Sequence, residues 1–323
     1  MASTLIIGGG GMVGQKFASS LAETPLYDAS DTVTLFDLAF PPKGASATTR
    51  VTGNVTDKDA IQSLIAQRPD TIFHLASIVS GQAETDFDLG WTINGTAFWN
   101  FLETIRAEHT ASGGAWRPRV VFTSSIAVFG APYPDKIDDE FLSAPQTSYG
   151  AQKAISELML SDFSRKGFLD GLSIRLPTIC VRPGKPNLAA SSFFSGIIRE
   201  PLNGVEAILP VPTDVRHWHA SPRSAAGFLR HAGTIDLSQL GTRRALNLPG
   251  VSCTVEEQIE ALRDISGNEV VKLIKPQPDA AIMEIVKGWP RNFTPERAIS
   301  LGFKADADFH AIINTYIEED SDL

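Results

Sequence analysis

The run Thr4-Leu5-Ile6-Ile7-Gly8-Gly9-Gly10-Gly11-Met12-Val13-Gly14 decides the fold. Its apolar residues read as a buried strand, its glycines as a tight turn, and Gln15 to Ala22 as a helix with apolar residues at helical spacing. Gly8 permits the turn, Gly11 lets the backbone approach a pyrophosphate, and Gly14 lets the helix pack closely on a sheet. The N-terminus of the helix that follows offers unpaired amides and a positive dipole end, which suit an anion. Four consecutive glycines also suit a flexible loop, so the turn by itself says little about function.

Moving outward, Val33 to Phe36 reads as a second strand ending at Asp37, the acidic position that a dinucleotide-binding unit needs about 20 residues beyond its turn. A carboxylate there accepts hydrogen bonds from ribose hydroxyls, whereas a 2′-phosphate would meet it as a like charge. Leu38, Ala39 and Phe40 follow with no base, so NAD is expected rather than NADP. The bland alternative is an ordinary turn aspartate.

Further strands are expected at Thr71 to Leu75, Val120 to Thr123 and Leu172 to Leu176. Helices are expected at Asp57 to Gln67, Thr92 to Ala107 and Tyr149 to Lys166. Strands alternating with helices imply right-handed crossovers and a buried parallel sheet. The expected fold is α/β: a Rossmann-type doubly wound parallel sheet with a smaller C-terminal substrate lobe. Residues 1–176, with a return segment at 215–250, form the expected nucleotide-binding domain. Residues 177–214 and 251–323 form the lobe, where Pro177, Pro183, Pro186, Pro201, Pro210 and Pro212 break regular structure. Within the lobe, Thr254 is an expected N-cap for a helix over Val255 to Ser266.

Tyr149 and Lys153 lie four apart at the start of a helical run and so share a face. That spacing alone is a common accident. It gains meaning from its place after the glycine turn, after Asp37, and after Thr123-Ser124-Ser125 at a strand end that opens on the same crevice. Tyr149 is the expected base that takes an alcohol proton, Ser125 the group that holds the substrate oxygen, and Lys153 the cation beside them. A phenol ordinarily titrates near 10, so basic function near neutrality needs nearby positive charge, which Lys153 and an oxidised nicotinamide would supply.

Of the 323 residues 43% are hydrophobic and 20% charged, which suits a folded globular protein. The net charge of −9 argues against nucleic acid or an anionic membrane as a partner. Cys180 and Cys253 match no metal or redox spacing, and no apolar run is long enough to span a membrane. A cytoplasmic protein with no catalytic metal is expected. His217 and His219 lack a visible third ligand, and His74 reads as a hydrogen-bonded structural histidine.

These residues together resemble the extended short-chain dehydrogenase/reductase family. The likeness runs along the whole chain, through Gly8, Gly11 and Gly14, Asn54-Val55, His74-Leu75-Ala76, Asn94-Gly95-Thr96, Ser124-Ser125, the Tyr149/Lys153 pair and Pro177-Thr178-Ile179. It implies cofactor contacts at Asn54, Val55, Leu75, Ala76, Ser77, Asn94, Tyr149, Lys153, Pro177, Thr178 and Ile179, besides Met12, Val13 and Asp37. Asn94 has a second reading as a pin for a neighbouring loop. Two departures stand out. Asn54 replaces a usual aspartate, and the loop Ile126 to Gly130 lacks the Asp-Glu pair of the family's dehydratases, which disfavours elimination chemistry.

The segments from Arg175 to Asn187 and from Trp218 to Arg223 look like those of family members that oxidise small sugar acids. That likeness implies oxidation of a C2 hydroxyl, D-erythronate to 2-oxo-D-erythronate, with NAD. The expected substrate contacts are Ser77, Ser125, Tyr149, Arg182, Asn187 and Arg216, with Lys185 and His217 nearby. Arg182 is the first choice for the carboxylate. A nucleotide-sugar 4-epimerase with tightly bound NAD and a non-catalytic NAD-binding scaffold are the alternatives. The resemblance also implies a homodimer through the helices of the Thr92 and Tyr149 runs.

Overall fold

The computed structural model describes residues 2–45, 49–184 and 190–321. Asn187 and Lys185 therefore lie outside the described residues. Seven strands form one sheet in the order β10-β6-β5-β4-β1-β2-β3. They are β1 (Ser3–Ile7), β2 (Thr32–Asp37), β3 (Thr49–Thr52), β4 (Thr71–His74), β5 (Arg119–Ser125), β6 (Asp170–Leu176) and β10 (Ala245–Asn247). Every pairing in it is parallel. β4 lies on one side of β1 and β2 on the other, so the strand order reverses there and opens a crevice at the carboxyl ends.

Both faces of this sheet are covered. One core holds Ile6, Phe17, Leu35, Phe73 and Phe228, and the opposite one Leu5, Ile7, Phe36, Phe98 and Phe122. That is why the inner strands read as unbroken apolar runs.

A three-stranded sheet, β11-β9-β7, stands beside the large one, with β7 (Thr178–Ile179), β9 (Arg216–Ala220) and β11 (Val251–Thr254). A third pair joins β8 (Ala207–Leu209) to β12 (Ile274–Pro276). Helices Ser192–Leu202, Val255–Ser266 and Phe309–Glu319 close a further core around Phe194, Leu262 and Ile313. Thr254 caps the middle one with a reciprocal Glu257 capping box. Because β9 pairs in the small sheet, the chain rejoins the large sheet only with helix Pro222–Thr234 and β10, not from residue 215 onward.

The Thr92 run is not a plain helix. A π-helical turn over Trp91–Thr96 precedes helix Ala97–Ala111. Such turns insert a residue and re-aim side chains, and they recur at functional sites.

Candidate active site

A cavity of about 450 Å³ opens at the crevice. Its wall runs from Gly8, Gly11, Met12, Val13 and Gly14, past Ser125, Tyr149 and Lys153, to Arg182 and His217.

The glycine turn is as tight as its sequence implies. Gly8 has φ +89°, and a Cβ there would lie 2.5 Å from the Ala76 nitrogen. A Cβ on Gly14 would lie 2.4 Å from the Gly8 carbonyl oxygen. Helix Met12–Glu23 begins after Gly11, which offers no side-chain cap, so its first amides stay open toward the cavity. Asp37 accepts from the Gly10 amide at 2.8 Å and from the Leu38 amide at 2.7 Å, bracing the turn from the end of β2. A dinucleotide pyrophosphate fits this donor set, since open amides and side-chain-free approach are what it needs.

Tyr149 and Lys153 sit on helix Ser148–Arg165, started by Thr147, whose hydroxyl accepts from the Gly150 amide. A Cβ on Gly150 would stand 2.1 Å from the Ala127 carbonyl oxygen. Glycine there lets the helix press against the loop after β5, which brings Tyr149 to Ser125. The buried face of this helix is largely polar, with Gln152, Lys153, Ser156 and Glu157 all inside.

Burial pushes the Tyr149 phenol above its usual value, while the Ser77 hydroxyl, the Arg182 guanidinium and the Ser125 hydroxyl pull it back. Arg182 is thus a cation acting on the phenol that the sequence did not assign to it, and Lys153 Nζ stands 5.5 Å from the Tyr149 ring centre. Lys153 donates to the Thr123 carbonyl at 2.8 Å. Burial takes its ammonium down to about 7, against the opposing pull of Glu157.

Behind Lys153 lies a buried network centred on Glu157, a residue that no sequence motif marks. Arg175 grips Glu157 with two bonds of 2.9 and 2.7 Å, and the Ser124 hydroxyl donates to the same carboxylate at 2.5 Å. Asn247 of β10 accepts from Arg175 in turn. Removing one partner of such a pair leaves an uncompensated buried charge.

Leu75, Ser77, Pro177, Thr178 and Ile179 line the cavity beside the nicotinamide position that the sequence assigns. Asn54, Val55 and Ala76 do not. Asn54 turns the chain by accepting from the Thr56 amide, Val55 and Ala76 pack against a hydrophobic core, and Ala76 backs the glycine turn. Asn94 is off the wall as well. Its Oδ1 accepts from Ser77 and the Ile78 amide, and its Nδ2 donates to the Ile78 carbonyl and to Gln152. With both ends used, it pins the Ser77 loop and has nothing left for a cofactor.

Arg182 lines the same cavity. It is part-buried in the wall, and its bonds include Nε to the Ile179 carbonyl at 2.9 Å and Nη2 to Ser191 at 3.1 Å. Arg216 is misassigned by the sequence. It donates to the Ser252 carbonyl and pairs with Glu257, away from the cavity. Its neighbour His217 faces the wall instead, because successive strand residues point to opposite sides. His74 lies off the cavity wall, in keeping with a structural histidine. Its ring is boxed by Phe98, Phe101 and Phe122 with Nδ1 unpartnered, and burial lowers it to about 3.

Several wall residues carried no signal in the sequence. Ser192, Arg199 and Trp289 arrive from distant parts of the chain, and only the packing of the small sheet brings them together. Among the described residues no group of three or more His, Cys, Asp or Glu could hold a metal ion, and no helix is long and apolar enough to cross a membrane.

The chain is similar to known proteins along nearly its whole length. The model of the NAD dependent epimerase/dehydratase family matches residues 4–220. A D-erythronate dehydrogenase from Cupriavidus necator is 44% identical over 98% of both chains. Another from Haemophilus influenzae is 40% identical, covering 98% of this chain and 99% of its own. A solved structure described as a nucleoside-diphosphate-sugar epimerase from Agrobacterium tumefaciens is 50% identical with a TM-score of 0.94, covering 98% of this chain and 94% of that one.

Proposed function

Since the chain belongs to the NAD dependent epimerase/dehydratase family and is an NAD-dependent dehydrogenase, we propose that it oxidises the C2 hydroxyl of a small sugar acid, D-erythronate to 2-oxo-D-erythronate. The observation that carries this reading is the position of Arg182, in the same wall as Tyr149 and Ser125 and close enough to act on the phenol. In a 2-hydroxy acid the carboxylate is bonded to the reacting carbon. A cation beside the base is therefore where its charge belongs.

NAD, when bound, would supply the acceptor for the hydride of C2. Tyr149, as phenolate, takes the hydroxyl proton, so the C2–H and O–H bonds break as the carbonyl forms. Ser125 holds the oxygen throughout. The Arg182 guanidinium favours the phenolate and the substrate carboxylate alike. Met12, Val13 and the glycine turn would hold the pyrophosphate, and Asp37 the adenosine ribose, with Lys153 at the nicotinamide ribose.

The purified chain with NAD and D-erythronate is expected to produce NADH, read at 340 nm. The epimerase reading is favoured by the description of the 50% identical structure. Turnover of a nucleoside-diphosphate sugar with no NADH from any sugar acid would establish it in place of ours. The dehydrogenase is further inferred to be a homodimer, because Trp99, Ile155 and Leu158 are exposed on the adjacent helices Ala97–Ala111 and Ser148–Arg165. Sedimentation should give twice the chain mass, and a monomer would remove that inference.

A further inference from the structure

Thr178 and His217 line the same cavity as Tyr149, Ser125 and Arg182. On the ladder between β7 and β9, Thr178 is paired with His219. His217, two residues earlier on β9, thus shares a face with it. The Thr178 hydroxyl lies 2.7 Å from His217 Nε2.

The imidazole is clamped. It stacks on Phe194 at 5.1 Å with an interplanar angle of 1°, meets the edge of His219 at 5.2 Å and tilts against Trp289 at 5.2 Å. It is 2% exposed, and burial takes it down to about 3, which leaves it neutral. A neutral imidazole carries one N–H and one bare nitrogen. The Pro290 carbonyl pulls on the ring, while Nδ1 makes no hydrogen bond of its own. In the tautomer that leaves Nε2 bare, that nitrogen is the acceptor facing Thr178. Thr178 then donates its own proton to Nε2. Its oxygen keeps only lone pairs for the cavity.

We propose that Thr178, its hydroxyl rotor fixed by His217, is the specificity-determining acceptor for a substrate hydroxyl beyond the oxidised carbon. The inference rests on the sugar-acid reading and deepens it. Arg182 takes the carboxylate, Tyr149 the reacting hydroxyl, and Thr178 receives an O–H from further along the chain. A substrate lacking that hydroxyl leaves the oriented oxygen buried with no partner, and sites built around a hydroxyl reject such analogues. The site thereby selects polyhydroxy acids over their deoxy counterparts.

The test compares kcat/KM for D-erythronate, 2,4-dihydroxybutanoate and 2,3-dihydroxybutanoate, with NAD affinity and melting temperature measured alongside. Wild type should favour erythronate over at least one deoxy acid by about 10–100-fold. That ratio should collapse toward one in Thr178→Val and fall in His217→Phe. His217→Gln should restore part of it, because a glutamine oxygen can still accept from Thr178. A melting temperature still raised by NAD identifies variants that remain folded. A ratio preserved in both Thr178→Val and His217→Phe overturns the inference, as does weakened NAD binding with the ratio intact. Equal turnover of all three acids by wild type overturns it while the sugar-acid reading stands. No turnover of any of them overturns both.

Discussion

Tyr149→Phe is expected to lower kcat for the sugar acid by about 1,000-fold, within the range seen when a general base is removed, while NAD affinity changes little. The substitution keeps the ring, which lies among Ser77, Ser125 and the Lys153 turn of the helix, and deletes only the oxygen that takes the proton. The reason to expect so large a loss is geometric. Among the described residues no other group in the wall is both basic and beside Ser125, because Lys153 is occupied by the Thr123 carbonyl and His217 is held neutral with Nε2 near Thr178. Stopped-flow measurement of NADH formation in a single turnover isolates the chemical step. Activity within tenfold of wild type would show that another residue moves the proton.

Arg182→Met should reduce kcat/KM for D-erythronate by about 100–1,000-fold, because truncating one member of a buried charge pair costs about 2–5 kcal/mol. Methionine preserves much of the side-chain volume. Arg182→Lys keeps the charge without the planar fork and should recover only part of the loss. A second readout separates grip from mere support of the loop. The guanidinium lowers the Tyr149 phenol, so its removal disfavours phenolate and raises that group further. The alkaline limb on which the base forms should therefore move to higher pH in Arg182→Met and stay near wild type in Arg182→Lys. A raised KM with an unmoved pH profile in both variants would detach Arg182 from the phenol.

Much of the fold was legible because its local constraints are strong. The glycine turn has to be glycine at Gly8 and Gly14, and the inner strands, buried on both faces, show as apolar runs. β3 escaped notice for the opposite reason. It is an edge strand, Thr-Arg-Val-Thr, with little buried surface, and nothing in its composition separates it from a loop. β10 is only three residues long.

Within the site, legibility followed the same division. Tyr149, Lys153 and Ser125 could be ordered along the chain from the turn, and the structure brings all three to one wall. Arg216 was chosen over its strand neighbour because charge is conspicuous in a sequence, whereas strand facing depends on which sheet receives the strand. Asn94 lies in a π-helical turn, a one-residue insertion that a period of 3.6 does not reveal. Glu157, and the link it makes between Ser124 and Arg175, was invisible because three elements must pack before these groups meet.

The cavity is walled by two bodies that share a core, in which Ile179 and Ala220 of the small sheet join Ile6 and Phe73 of the large one. The groups proposed to move the proton, Ser125, Tyr149 and Lys153, stand on the large sheet and its helix, while Thr178, Arg182 and His217 belong to the strands and loops of the small sheet. Substrate preference can accordingly drift by substitution in one body while the reaction is conserved in the other. Evolution of a new substrate on this scaffold is a matter of exchanging one half of a mould and leaving the tool fixed in the other half untouched.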